Sequence, residues 1–349
     1  MLHPRVGGIV RHDLLKDRPM PRISGDGTMP RVTLIPTLED VEAARERIRG
    51  IAMRTPLVRL NVPEVPTEIY LKLESLQPIG SFKIRGAANA MARLAPEELA
   101  QGVLTASAGN MAQGVAWCAR ARGIPCTVVA PETAPATKIA AIERLGGRVI
   151  KVPFERWWET FETRRYPGVE GTFIHAFDDP HVMAGNGTIG LEVLEDLPAV
   201  AAIVVPWGGG GLTCGIAAAV RARRPECRVF AAEVETAAPL SAALAAGEPR
   251  AVAYQPSFVD GIGSKIVFAS MLERAQGLVA GATVAPLDAV AAAVRLLAER
   301  NRVVAEGAGA CPVACALSGG AGEGPIVCIV SGGNIDLDRF ASLVASARP

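Results

Sequence analysis

A chain of 349 residues, half of them hydrophobic, can bury a large core but is too long for one compact layer packing, so two lobes are expected. Its 36 Lys and Arg against 35 Asp and Glu leave a formal charge of +1. That balance excludes the footprint of a nucleic-acid, anionic-membrane or polyanion binder and favours a small ligand. The longest apolar runs, such as Ala199 to Pro206, fall short of a membrane-spanning helix, and the N-terminus lacks the charged-then-apolar order of a signal peptide. A soluble protein is expected. Its seven cysteines are an odd number without a CxxC pair, which reads as reduced thiols in a cytoplasmic protein. With four histidines, His3, His12, His175 and His181, a zinc site is not expected.

In chain order, residues 1–36 carry Pro4, Pro19, Pro21, Pro30 and Pro36 with no sustained period, and read as a flexible leader. Thr37 followed by Asp40 is a capping signal for an amphipathic helix with Val41, Ala44 and Ile48 on one face. From there β-branched runs alternate with Ala-rich stretches. Strands are predicted at Ile69–Leu73, Val103–Ala106, Thr127–Ala130, Val149–Val152, Ile203–Val205, Val229–Ala232 and Ile326–Val330. Helices are predicted at Phe82–Arg93, Met111–Arg122, Thr137–Leu145, Leu212–Arg223 and Leu287–Arg300. This alternation indicates an α/β fold of open, mostly parallel sheets flanked by helices, with ligands at the strand C-terminal ends.

Four segments can carry chemistry. The strand ending at Val205-Pro206-Trp207 runs into Gly208-Gly209-Gly210-Gly211 and a helix from Leu212. Consecutive glycines let several N–H groups and a helix N-terminus face one anion, which describes a phosphate cradle; the plain alternative is a flexible loop. The glycines complete neither a Walker loop nor GxGxxG, although Glu233 lies where a dinucleotide fold would bind ribose. In Gly80-Ser81-Phe82-Lys83-Ile84-Arg85-Gly86 a lysine opens a helix against the helix dipole. It is either a desolvated Schiff-base lysine beside Phe82 or a surface lysine. Ser107-Ala108-Gly109-Asn110-Met111 is a small-residue turn offering N–H groups to a carboxylate, or simply a helix cap. Ser331-Gly332-Gly333-Asn334 ends the last strand with a neutral hydroxyl able to bond a ring nitrogen, or is an ordinary turn. Together they supply a phosphate cradle, an imine-forming lysine, a donor to a ring oxygen and a partner for a pyridine nitrogen. Pyridoxal 5'-phosphate needs all four.

From Thr55-Pro56-Leu57 to Asn334 the sequence resembles the fold-type II pyridoxal-phosphate family, which includes threonine and serine dehydratases, serine racemase and the tryptophan synthase β chain. The segments Ser81–Ala87, Ser107–Asn110, Gly208–Leu212 and Ser331–Asn334 carry the resemblance in the family's order and spacing. Phe177-Asp178-Asp179-Pro180 with Gly185-Asn186-Gly187-Thr188 resembles the threonine dehydratase branch. The resemblance implies that Lys83 holds the cofactor as an imine and removes the substrate α-proton, with Phe82 packed by the ring. It implies that Asn110 bonds the ring hydroxyl, that Gly208, Gly209, Gly210, Gly211 and Leu212 hold the phosphate, and that Ser331 faces the pyridine nitrogen. The Ser107, Ala108, Gly109, Asn110 and Met111 backbone would receive the substrate carboxylate, and Glu306 resembles the family's acidic residue near the site.

A serine at the ring nitrogen leaves it unprotonated and favours β-elimination over transamination. A PLP-dependent dehydratase, or ammonia-lyase, is therefore expected, acting on threonine, serine or a bulkier β-hydroxy amino acid to give a 2-oxo acid and ammonia. β-Replacement or racemisation of a specialised amino acid is the alternative within the family, and a non-catalytic nucleotide-binding Rossmann protein the distant one. Three departures matter. Ala108 stands where the racemases place a serine acid, which disfavours racemisation. Met111 replaces the motif's histidine and is expected to make the substrate pocket less polar. The family's cation site resembles Glu233 and the Ala237 carbonyl, but Pro239 replaces its second carboxylate, leaving at most a monovalent ion. The segment after Asn334 is too short for the effector domain of biosynthetic threonine dehydratases, so no isoleucine feedback is expected. By resemblance the protein is a homodimer. Its expected domains are a large cofactor domain, residues 37–101 and 179–349, and a small substrate-side domain, residues 102–178.

Overall fold

The computed structural model describes residues 34–346 apart from 63, 64 and 66, so the expected leader lies outside the described residues up to residue 33. Ten strands are described: β1 (Leu57–Arg59), β2 (Ile69–Leu73), β3 (Val103–Ala106), β4 (Cys126–Pro131), β5 (Arg148–Val152), β6 (Thr172–Phe173), β7 (Ala202–Pro206), β8 (Arg228–Val234), β9 (Gly281–Ala285) and β10 (Ile326–Val330). The helices are α1 (Leu38–Arg47), α2 (Lys83–Met91), α3 (Pro96–Ala100), α4 (Asn110–Arg122), α5 (Ala136–Arg144), α6 (Phe154–Thr163), α7 (Pro180–Asp196), α8 (Gly211–Arg223), α9 (Pro239–Ala246), α10 (Ala269–Leu278), α11 (Leu287–Leu296), α12 (Gly307–Leu317) and α13 (Leu337–Ser346).

The strands form two sheets. One has the order β1-β2-β10-β7-β8-β9, parallel except for β1, and the other the order β5-β4-β3-β6, parallel throughout. Strands β7 and β10 are buried at every residue, as a parallel sheet covered on both faces requires. All seven predicted strands are present. The three that escape prediction, β1, β6 and β9, each take a sheet edge, where a short half-exposed strand shows no continuous apolar run. The Thr37 capping box forms as predicted, and α1 buries Val41 and Ala44. Helix α11 ends earlier than expected and passes into a π turn, Leu297–Asn301, where the Asn301 carboxamide bonds Arg59 O and Asn61 N.

Helix α7 packs between α2 and α8 and is buried from Val182 to Leu194. Its glycines permit this. A Cβ on Gly185 would strike the Arg85 carbonyl, and one on Gly187 would lie 2.7 Å from Gly215 O. The Gly-Asn-Gly-Thr segment is thus a close-packing stripe that holds α2 and α8 at fixed separation. Among the described residues no helix is long and apolar enough to cross a membrane.

Candidate active site

The chain leaves β2 through a 3-10 turn, Glu74–Leu76, and reaches Lys83 as the first residue of α2. The Lys83 Nζ donates to Ala176 O at 2.8 Å and lies 5.1 Å from the Phe82 ring centroid. Burial pulls the ammonium down to about 8, against the opposing pull of the Glu306 carboxylate. Beside it, the end of β10 is tied to the same loop: Phe82 N donates to Ser331 O, and Gly333 N to Gly80 O. Ser331 is buried, and its Oγ bonds no described residue. Ser81, which forms an isolated antiparallel bridge with Gly332, has a buried Oγ without a partner.

Asn110 opens α4 at the C-terminal end of β3. Its Nδ2 donates to Glu306 Oε1 at 2.9 Å, and its Oδ1 accepts from Asn334 Nδ2 at 2.8 Å. Burial raises the Glu306 carboxyl to about 7; nearby Asp260 adds to the rise, while Lys138, the Asn110 hydrogen bond and Lys83 oppose it. The four-glycine turn follows β7. Gly210 has φ 91, accessible to glycine, and a Cβ there would land on the Trp207 ring. A Cβ on Gly209 would fall inside the Phe177 ring. No described acceptor takes the N–H groups of Gly208, Gly209 or Gly210, and α8 has no side-chain cap. Phe177 is held in turn by His175, whose Nδ1 accepts from Phe177 N and Asp178 N. Burial, aided by Arg164, pushes His175 down to about 3, so it remains a neutral acceptor. The segment 175–178 therefore joins Lys83, through Ala176 O, to the glycine turn.

Lys83, Ser331, Asn110 and the glycine turn thus stand at the C-terminal ends of four strands. The description "Pyridoxal-phosphate dependent enzyme" matches residues 48–332. The chain belongs to the pyridoxal-phosphate dependent enzyme family. It is 42% identical over 286 residues to the L-threonine ammonia-lyase of Thermotoga maritima, covering 81% of this chain and 71% of the relative. Its structure is similar to that of maize serine racemase, with a TM-score of 0.81, 32% identity and coverage of 88% and 97% of the two chains. It is also similar to the processed form of threonine deaminase isoform 2 from Solanum lycopersicum, with a TM-score of 0.78, 29% identity and coverage of 94% and 100%.

The site of this pyridoxal-phosphate enzyme fits its cofactor by chemistry that the protein itself leaves unsatisfied. Helices α2, α4, α8 and α12 all begin here, and none has a side-chain cap. Uncapped N-termini offer N–H groups and partial positive charge to anions. Phosphate and carboxylate are the two anionic groups to be held. The glycine turn suits the phosphate, the Ser331 hydroxyl the ring nitrogen, and the lysine amine the aldehyde.

In the loop before α4, Ser107 Oγ accepts from Gly109 N at 3.2 Å, which spends that N–H within the loop, and there is open space beside Gly109. Ala108 gives it no acid. The expectation for Met111 is corrected: its side chain is 2% exposed and packs with Ile84, Met91 and Val115 in the core, leaving only its backbone to the loop. Residue 111 is the second of α4, and the helix phase turns it inward. Glu233, read from the sequence at a ribose position and as a cation candidate, takes a structural part in this fold. Its two oxygens accept from Leu240 N, Ser241 N and Ser241 Oγ, so it caps α9, with Pro239 as that helix's first residue. Among the described residues there is no group of three or more His, Cys, Asp or Glu able to hold a metal ion.

Sequence reasoning missed the role of Arg85, taken only as a neighbour of Lys83. It is buried, with bonds to Glu74 at 2.8 Å, Glu192 at 2.6 Å and Thr188 at 3.0 Å. Buried Lys72 joins the same Glu192 at 2.6 Å. This network lies beneath α2 and anchors the helix that carries Lys83. Four acidic and basic residues spread over β2, the 3-10 turn, α2 and α7 leave no local pattern by which a sequence could announce it.

Proposed function

We propose that this enzyme is an ammonia-lyase that eliminates water from a β-hydroxy amino acid, L-threonine or L-serine foremost, to give a 2-oxo acid and ammonia. The observation that carries the reading is the pairing of a largely desolvated Lys83 amine with the neutral Ser331 hydroxyl, in a chain similar to threonine ammonia-lyases. When bound, the cofactor acts as an electron sink that acidifies the substrate Cα–H. Lys83 takes that proton, since an amine brought down to about 8 is partly neutral near physiological pH. Ser331 donates a hydrogen bond without supplying a full proton, which keeps the electron sink moderate and favours expulsion at Cβ. The α4 N-terminus and the 107–111 backbone hold the substrate carboxylate, the N–H groups of Gly208, Gly209, Gly210, Gly211 and Leu212 hold phosphate, and Phe82 packs beside the ring. The Cα–H and Cβ–O bonds break, a carbon–carbon double bond forms and water departs. The released enamine tautomerises and is hydrolysed to the oxo acid and ammonia. Ala108 provides no acid on the second face of Cα, so racemisation is slow.

We further infer that residues 37–101 and 179–349 form the cofactor domain and residues 102–178 the substrate-side domain, and that the enzyme works as a cytoplasmic homodimer. Glu233 we assign to capping α9, with Ala237 in the turn that leads to it. The test is to supply the cofactor-loaded protein with L-threonine, L-serine and L-threo-3-phenylserine and measure 2-oxo acid, ammonia and D-serine. Oxo acid and ammonia in equal amounts, with little D-serine, are expected. D-serine as the main product from L-serine would replace the lyase reading with a racemase.

A further inference from the structure

Asn334 closes a hydrogen-bonded chain with one fixed end. Its Nδ2 donates to the backbone carbonyl of Ile79 at 2.8 Å and to Asn110 Oδ1 at 2.8 Å. A backbone carbonyl accepts and cannot donate, so it dictates which face of the Asn334 carboxamide is nitrogen. That nitrogen in turn dictates that Asn110 presents its oxygen here and its nitrogen on the far side. On that far side stands Glu306 Oε1, 2.9 Å away, which accepts when ionised but, with its carboxyl raised to about 7, can also donate when protonated. The Ile79 carbonyl is therefore the end that fixes the orientation of Asn110, and ionised Glu306 agrees with it. Its Nδ2 carries two hydrogens, one of which goes to Glu306, leaving a single unspent donor.

The surroundings of Asn334 are shaped to hold it. Gly80 has φ 71, and a Cβ there would lie 2.5 Å from Asn334 Oδ1. Gly333 N donates to Gly80 O at 2.9 Å, which fixes the loop that leads to Lys83 against the residue preceding Asn334. We propose that Asn334 is a positioning residue, which fixes the Asn110 carboxamide with its free N–H turned toward the cofactor's ring hydroxyl. The inference rests on the reading that Asn110 bonds that hydroxyl. Without Asn334 the Asn110 amide meets only Glu306, which accepts or donates according to its protonation, so the amide can turn over and present an oxygen where a donor is required. The loop after β10 would then contribute twice, with Ser331 to the ring nitrogen and Asn334, through Asn110, to the ring hydroxyl.

The test begins with cofactor-free protein labelled with nitrogen-15 at asparagine, with the Asn110 side-chain resonance assigned through its loss in Asn110→Asp. In the wild-type protein this NH2 pair is displaced from the free carboxamide position and protected from exchange. In Asn334→Ala it moves to the free position, while the pairs of Asn89 and Asn186, bonded to His181 O and Gly211 O, stay in place. Asn334→Asp keeps the size but faces Asn110 with an acceptor, so the pair shifts to a third position as the amide turns over. If Asn334→Ala does not fold, this second variant decides. On loading, both variants bind pyridoxal phosphate about fivefold to twentyfold more weakly, roughly 1 to 2 kcal/mol, and the visible absorbance maximum moves. An unchanged Asn110 resonance in the Asn334 variants overturns the positioning role. A loaded Asn110→Ala protein with wild-type affinity and band overturns the underlying reading of Asn110 instead.

Discussion

In the proposed reaction Lys83 is the residue on which the chemistry turns, and its surroundings make quantitative demands. Only the neutral amine attacks the cofactor aldehyde, so the rate of loading cofactor-free protein should rise with pH around a midpoint near 8, well below the ordinary 10.5. A midpoint near 10 would mean that the amine is not desolvated. The same shift affects stability. Between about 8 and 10.5 the unfolded chain holds the lysine proton and the folded chain does not, so stability of the cofactor-free protein rises with pH across that window. Chemical denaturation at successive pH values should show this slope in wild type and a flatter one in Lys83→Met. Lys83→Ala should retain some cofactor through the glycine turn but lose the imine absorbance and the elimination activity. That Lys83 opens a helix and that Ser331 follows the last strand were legible because each lies in a short motif beside an element boundary, where local sequence fixes position. Met111 was misread because neighbouring motif residues do not share a direction: Asn110 faces the site, and the helix turns the next side chain into the core.

At the scale of elements, the turn between β7 and α8 combines a close approach with unspent N–H groups. Gly209→Ala should weaken cofactor binding at least about tenfold, roughly 1.4 kcal/mol, because the new methyl would displace the Phe177 ring or the turn itself. Equilibrium dialysis of the cofactor checks this. Gly277→Ala, in α10 with nothing within 4 Å of its Cβ, should leave binding unchanged and raise stability by up to about 1 kcal/mol. Equal binding losses in the two variants would contradict the role given to the turn. The central strands β2, β7 and β10 could be read from their continuous β-branched runs, since burial on both faces selects such residues. Edge strand β9, Gly-Ala-Thr-Val-Ala, could not, because its pairing with β8 depends on the sheet already present. The cap of α9 by Glu233 was hidden for a similar reason, since the carboxylate belongs to the preceding strand and reaches the helix only after the chain turns at 235–238.

Across the molecule, the buried charges of Lys72, Glu74, Arg85 and Glu192 join the six-stranded sheet to the helices beneath the site. Burial alone would raise Glu74, but Arg85, aided by Thr55 and Lys72, outweighs it and holds the carboxyl below its ordinary range. Arg85→Ala leaves buried Glu74 without its main partner and Glu192 with Lys72 in place of two cations, and should cost about 3 to 5 kcal/mol in denaturant unfolding. A loss below about 1 kcal/mol would mean that the network bears little on stability. No reading of the sequence alone could assemble it, because its members are brought together by the sheet order and by the glycine stripe of α7. The fold class, by contrast, follows from the alternation of strands and helices along the whole chain, a signal that survives errors in any one element.

The most direct test of the account is the absorbance spectrum of protein reconstituted with pyridoxal phosphate, followed on adding L-threonine with 2-oxo acid measured in the same cuvette. The account predicts a visible band absent from Lys83→Ala, a shift of that band on adding substrate, and oxo acid accumulating with an equal amount of ammonia. A band that threonine, serine and phenylserine all leave unchanged, with no oxo acid formed, would contradict the proposed elimination; no band at all would contradict the assignment of Lys83.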